Sequence, residues 1–331
     1  MPLLLTEADV RTILTMPLAL NAVEESFRGI ASGSVLVQPR RRLNIPGKSY
    51  LHYMAAGDSA SGFMGLKIYT SSRHGLRFLI PLFDAQSGDL LALIEADYLG
   101  QVRTGAASGT ATKFLARQDA HVVGMIGTGS QARTQLEAVA LVRSIEKIMA
   151  YGRDTQRRED FAKEITARLK IPVEAVGSAE SAVREADIVI TATTSSEPVV
   201  KGAWLKAGTH VNAIGANFPQ KRELDDGAIA LAELIVVDSR EQAKMEAGDL
   251  IHGFGNDTSR WDRVHELAEI VASKVAERTS AGQVTIFKSS GIASEDIAVA
   301  VPIYQIARQR QIGKEVEMWP AEPRPALGRR T

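Results

Sequence analysis

The segment from His121 to Val142 constrains this chain more than any other. Val122–Ile126 is a short apolar run, Gly127-Thr128-Gly129-Ser130-Gln131-Ala132 follows it, and a helical pattern continues to about Val142. Each small residue has a physical reason to be there. Gly127 takes a tight turn without a Cβ penalty, Gly129 lets backbone amides approach a pyrophosphate, and Ala132 keeps the helix close to the sheet. The helix N-terminus adds unpaired N–H donors and partial positive charge. Glycine-rich turns end many strands, so a plain strand–turn–helix corner is the alternative. What favours a dinucleotide site is the alternation that continues downstream. Lys147–Tyr151, Val173–Val176, Ile188–Thr191, His210–Ile214 and Leu234–Val237 read as strands, with helical segments at Thr155–Lys170 and Ala179–Glu185. Continuous apolar strands buried on both faces are the signature of a parallel sheet. The fold class is therefore α/β, with a doubly wound Rossmann sheet.

The end of the second strand selects the cofactor. An acid about 20 residues on holds the ribose of NAD, whereas an Arg accommodates a 2′-phosphate. Here Gly152 takes the acid's place, followed by Arg153 and Asp154. NADP(H) is favoured, NAD(H) remains open, and Asp154 is a second ribose candidate. A solvated Arg–Asp turn is the bland alternative. The cofactor-contacting set is Gly127, Thr128, Gly129, Ser130, Gln131, Ala132 and Arg153, with Thr191 at the end of a later strand.

Outside this region the order is different. Glu7–Gly33 reads as one helix, followed by strands at Ser49–Met54, Gly65–Tyr69, Phe78–Phe83 and Leu90–Ile94, with a hairpin turn at Ser87-Gly88-Asp89. Thr104–Leu115 reads as a helix of small residues, Asp262–Arg278 as helical, Val284–Lys288 as a strand, and Ser294 to about Gln311 as the last helix. Beyond Trp319 the segment PAEPRPALGRRT is expected to be loose. The 331 residues favour two domains, at roughly 150 residues each. With 39 basic against 39 acidic residues, the formal charge is zero, which supplies no field for nucleic acid or an anionic membrane. An apolar share of 45% excludes a disordered chain. No cysteine is present, so there is no disulfide framework and no cysteine metal site; no metal is expected. Glu7, Asp9 and Arg11 interrupt the first apolar stretch too early for a signal peptide, and no run suits a membrane helix. A cytoplasmic location is the expectation.

A nicotinamide enzyme needs groups that hold substrate beside the ring. The first third offers Arg40, Arg41 and Arg42, His52, Lys67 and Arg103. Arg103, just before the small-residue helix, could clamp a carboxylate bidentately. Lys67, in an apolar strand, either snorkels at an edge, the commoner case, or is buried with a lowered pKa. His52 reads as a satisfied core or surface histidine, and the triple Arg as a solvated face with one member inward.

Several stretches together resemble the ornithine cyclodeaminase/mu-crystallin family: QPRR near 40, YLHYMAA at 50–56, GLKIYTS at 65–71, the run from Pro81 to Ala116 with RTGAAS, GMIGTGSQA, HVNAIGANFPQKREL at 210–224, VVDSREQAKMEAGDL at 236–250 and TIFKSSGIASEDIA at 285–298. The resemblance implies a Rossmann domain at 117–289 and a second α/β domain from 1–116 with 290–331, through which a homodimer forms. It places Arg41 (or Arg40), Lys67 and Arg103 at positions that hold the substrate carboxylate or move its proton, and Thr104 near the cofactor phosphates. Asn217 stands where the family's cyclodeaminases carry an Asp, and Asn can neither take a proton nor pair with an ammonium as a charge. His52 stands where a subgroup of alanine dehydrogenases has Arg. The expected activity is NAD(P)H-dependent reduction of a small α-imino acid, or the reverse amino-acid dehydrogenation. In that reading Arg103 and Arg41 clamp the carboxylate, Lys67 handles the proton and Asn217 orients. The rivals are a lyase forming proline from ornithine, a non-catalytic NADP(H) binder, and a hydroxy-acid or alcohol dehydrogenase.

Overall fold

A computed structural model describes residues 1–318. The expectation of a loose tail from Pro320 falls outside the described residues. The chain opens with β1 (Leu3–Leu5), α1 (Glu7–Ile13) and α2 (Met16–Ser32). Two helices thus replace the single one expected over Glu7–Gly33. Leu14 is extended, Thr15 caps α2 by accepting from Leu18 N, and Pro17 in the first turn offers no N–H to continue α1. Gly33, at φ +85°, ends α2 in the left-handed region.

An antiparallel meander follows: β2 (Val35–Ile45), β3 (Ser49–Asp58), β4 (Phe63–Ser72), β5 (Gly75–Asp84) and β6 (Leu90–Glu95). Sequence reading missed β1 and β2 as strands. α3 (Asp97–Leu115) begins earlier than expected, its first amides accepted by the Glu7 carboxylate. Its small residues bury on every side. A Cβ on Gly105 would overlap the Thr134 carbonyl, and one on Gly109 would meet Leu20 and Ala138.

The second half runs β7 (Val122–Ile126), α4 (Ser130–Val142), β8 (Lys147–Tyr151), α5 (Thr155–Leu169), β9 (Val173–Ala175), α6 (Ala179–Val183), β10 (Ile188–Thr191), β11 (His210–Ala213), α7 (Asp226–Leu231), β12 (Leu234–Val237), α8 (Arg240–Glu246), α9 (Gly248–Phe254), β13 (Val264–Glu266), α10 (Leu267–Val271), β14 (Thr285–Lys288), α11 (Ala293–Arg310) and β15 (Lys314–Glu315). The helix expected over Asp262–Arg278 is replaced by β13 and the five-residue α10. Val264 pairs in parallel with Ile235 of β12, and Ser273, at φ +55°, lies just beyond the end of α10. The apolar spacing there belongs to two short elements, not one helix.

Two sheets result. The first is ordered β15-β1-β6-β5-β4-β3-β2, and α11 packs on β2–β5. The second, ordered β13-β12-β14-β11-β10-β7-β8-β9, is parallel throughout. Its strand order reverses between β7 and β10, which puts the ligand crevice of such sheets at their carboxyl ends.

Candidate active site

At the carboxyl end of β7 the chain turns at Gly127, φ +104°, where a Cβ would overlap the Ala192 carbonyl oxygen. Gly129 caps α4 without a side-chain bond, and nothing lies within 4 Å of its missing Cβ. The first N–H groups of α4 therefore have no capping side chain beside an open space. Gln131 keeps a buried Oε1 without a partner. An open backbone cradle, a helix N-terminus and an orphaned amide oxygen suit the diphosphate of a dinucleotide. Ala132 is buried among Val123, Met125 and Ile148 on the core side. Gly152 follows β8 with its missing Cβ against Thr128 Oγ1, and Arg153 is exposed beside it. Asp154, the second ribose candidate, spends Oδ1 on Arg157 N at 2.9 Å as the cap of α5.

Thr191 departs from expectation. It is fully buried and donates to Glu223 Oε2 at 2.8 Å, while the next residues, Ala192, Thr193 and Thr194, line the cleft. The β10 strand ends at Thr191, and its successors carry the turn into the opening. Glu223 also accepts from Thr193 N and Gly215 N, both at 2.7 Å, and so ties the loops after β10 and β11 together. Sequence reasoning missed it; an acid inside the quoted AIGANFPQKREL block was the available signal.

The opposite wall of the cleft, about 570 Å³ in volume, comes from the first sheet, α3 and the turn before α11. Arg40 on β2, Lys67 on β4 and Arg103 on α3 are all buried there. Lys67 Nζ donates to Asp296 Oδ1 at 2.7 Å, so the edge reading is overturned. Arg103 Nε donates to the same oxygen at 2.9 Å, and its Nη1 to Glu295 Oε2 at 2.5 Å. Arg40 pairs with Glu246, donates to the Ser290 and Gly291 carbonyls at 3.0 Å, and keeps a buried Nε without a partner. Arg41 is exposed on the outer face opposite Tyr53, so Arg40, not Arg41, faces the cleft. The reason is a register shift between Gln38 and Arg41, which sets which arginine points inward. Arg42 returns to the inner side, paired with Glu246 at 3.0 Å and donating to the Asn217 carbonyl at 2.9 Å. Asn217 lines the cleft on the loop after β11. Thr104 lines it too, with its hydroxyl turned back to the Gly100 carbonyl at 2.7 Å.

Electrostatics follow from this packing. Burial, then the Arg103 charge, lowers Lys67 to about 8, with Asp296 opposing. Burial alone would lower Arg103, but Asp296 and Glu295 outweigh it and hold the guanidinium above its usual value. Burial raises Glu295 to about 8 against the pull of Arg103. Both acids sit in the first turn of α11, where the helix end favours negative charge. His52 is buried, stacks on Tyr69, meets Ser71 Oγ through Nε2 at 2.9 Å, and is lowered to about 4 by burial and by Arg42 and Arg40. The arrangement can grip an anion beside a nucleotide cradle and keep a lysine proton mobile near neutrality.

The family model described as "Ornithine cyclodeaminase/mu-crystallin family" matches residues 1–311. The chain belongs to that family. A Δ1-pyrroline-2-carboxylate reductase of Bacillus cereus is 39% identical over 262 residues, covering 77% of this chain and 80% of that protein. An alanine dehydrogenase of Archaeoglobus fulgidus is 37% identical over 328 residues, 96% of this chain and 98% of its own length. The solved Thermococcus litoralis Δ1-pyrroline-2-carboxylate reductase, in complex with NADH and L-proline, superposes with a TM-score of 0.91 at 36% identity, covering 95% of this chain and all of that one.

Proposed function

We propose that this family member is an NAD(P)H-dependent reductase of small α-imino acids, able to run in reverse as an amino-acid dehydrogenase. One observation carries the reading: three buried cations, Arg40, Lys67 and Arg103, share a cleft with the glycine turn after β7. Buried charge is retained only where paired or useful, and here carboxylates behind each cation fix its position and leave donors for a ligand. Arg103 spends Nε and Nη1 on the acids of α11, and Lys67 spends one of its three protons. The remaining donors of Arg103, Lys67 and Arg40 Nε would take the α-carboxylate and hold the imine carbon in a near-attack position.

The Gly127–Ala132 turn and the loops after β8, β10 and β11 would hold the dinucleotide, whose nicotinamide supplies the hydride in one direction and accepts it in the other. Lys67 holds the proton that the imine nitrogen takes up on reduction and that the ammonium gives back on oxidation. Asn217 orients substrate or a water by hydrogen bonds. Its amide cannot act as the acid/base of a cyclodeaminase, which argues against the lyase reading. Arg153 beside Gly152, with no acid at that position, supports a preference for NADP(H) over NAD(H).

Residues 117–289 would serve as the nucleotide-holding domain and 1–116 with 290–331 as the substrate-holding one. The outer face of the first sheet exposes Leu36, Leu43, Leu51, Tyr53 and Met64, and this apolar surface supports a homodimer through that domain. A cytoplasmic location accords with a chain free of cysteine. The test is a screen of NADPH and NADH oxidation over small keto acids with ammonia or methylamine and over preformed cyclic imines. Turnover on at least one imine is expected, and cofactor binding without turnover on any would refute the proposal.

A further inference from the structure

A dinucleotide lies across the point where the strand order of such a sheet reverses. Here that order runs β11-β10-β7-β8. The glycine turn follows β7 and the Gly152–Asp154 turn follows β8, so the adenosine diphosphate half belongs on that side. The nicotinamide half then falls to the loops after β10 and β11, where Thr193, Thr194, Gly215 and Asn217 line the cleft. Residues 192–199 and 214–223 contain no helix or strand, so no ladder of backbone hydrogen bonds fixes these loops.

A buried charge cluster fixes them instead. Glu223, Asp249 and Lys288 are each fully buried, and none of them lines the cleft. Glu223 Oε1 accepts from Thr193 N and Oε2 from Gly215 N, both at 2.7 Å. Asp249 Oδ1 accepts from Glu223 N at 2.6 Å and Leu224 N at 2.8 Å, which pins the segment from which Glu223 projects. Lys288, the last residue of β14, donates Nζ to the Ala213 carbonyl at the end of β11 at 3.2 Å and lies 3.4 Å from Asp249 Oδ2. Burial pushes the Glu223 carboxyl up from its ordinary value, Lys288 opposes this and Asp249 adds to it. Taking three charges out of water is costly, and gripping a substrate does not account for these three.

We infer that Glu223, held by Asp249 and Lys288, is a positioning residue for the nicotinamide half of the cofactor and leaves the adenosine diphosphate half untouched. This rests on the reading above, in which the cleft holds a nicotinamide dinucleotide. Each Glu223 oxygen faces a backbone N–H from a different loop, so the carboxylate sets the spacing of the two loops as well as their positions. An amide cannot replace it. In Glu223→Gln the NH2 group must face either Thr193 N–H or Gly215 N–H, and two donors meet. One loop is then released, while Asp249 and Lys288 remain as a charge-balanced pair, so the variant should fold.

The full-length protein is titrated by calorimetry with NADPH, NADH, ADP-ribose and 2′-phospho-ADP-ribose, and its melting temperature is recorded alongside. Glu223→Gln should weaken the preferred dinucleotide about tenfold and leave the matching ADP-ribose within about twofold, the scale set by one buried donor left unpaired. General loosening of the nucleotide half would weaken both ligands together. Gly215→Ala reaches the same loops with all three charges kept: its Cβ would stand 2.5 Å from Glu223 Oε1 and overlap the Thr193 carbonyl oxygen, so it should give the same split. Parallel loss of dinucleotide and ADP-ribose, or unchanged dinucleotide affinity, in the two variants would overturn the positioning role while leaving the cofactor reading standing. An unsubstituted protein that binds neither dinucleotide would overturn both.

Discussion

Replacing Arg103 separates holding the fold from holding the substrate. Its guanidinium bridges Glu295 at 2.5 Å and Asp296 at 2.9 Å, with every partner buried. In Arg103→Ala two buried acids face Lys67 alone, and breaking a buried pair from one side costs about 3–5 kcal/mol. Against a total stability of about 5–15 kcal/mol, that loss is visible as a marked fall in melting temperature. Arg103→Lys keeps the charge but not the fork, so one ammonium cannot serve both acids and a substrate carboxylate. Its melting temperature should fall less than that of the alanine variant, while kcat/KM for the imine falls about 100-fold or more, equivalent to at least ~2.7 kcal/mol of lost transition-state binding. The assay pairs steady-state kinetics with cofactor affinity by nucleotide fluorescence, and the dissociation constant should stay within about threefold because Arg103 lies outside the glycine turn. Near-normal turnover in Arg103→Lys would refute the clamp. So would a cofactor affinity that falls as far as turnover does.

Lys67, lowered to about 8, is protonated below that pH and neutral above it. With the substrate's own ionisation corrected for, kcat/KM for imine reduction should fall above about 8 and that for amino-acid oxidation should rise through the same pH; Lys67→Met should erase the break in whatever activity remains. Gly291, at φ +77°, turns its α-carbon toward the Arg103 guanidinium, and an alanine Cβ there would stand 2.8 Å from Nη1 and 3.0 Å from Nη2. Gly291→Ala should therefore raise KM for the imine with little change in cofactor affinity, measured by the same two assays. Arg153→Ala should raise KM for NADPH far more than for NADH, and equal effects on both would sink the NADP(H) preference.

Much of the nucleotide half was legible because parallel strands, buried on both faces, are written as unbroken apolar runs. The expected ends of β7, β8, β10 and β12 coincide with those in the structure. The meander was less legible. β2 carries Pro39 and three arginines, one face open to solvent, and its register shift hides which arginine turns inward. Lys67 read as an edge lysine because its partner, Asp296, lies 229 residues away. Glu295 and Asp296, adjacent acids opening an otherwise apolar helix, were a visible signal that went unused. The end of β10 is legible, but not which of its residues meets the opening: the Thr191 side chain faces inward to Glu223, and Ala192, Thr193 and Thr194 line the cleft.

The most direct measurement follows the hydrogen itself. The enzyme is given Δ1-pyrroline-2-carboxylate with nicotinamide cofactor deuterated at C4 on the transferred face, and the amino acid formed is read by mass spectrometry and NMR. The account predicts proline carrying one deuterium at C2, lost when Arg103 is replaced. Proline without deuterium, or reduced cofactor bound and left unoxidised beside every imine offered, would contradict it.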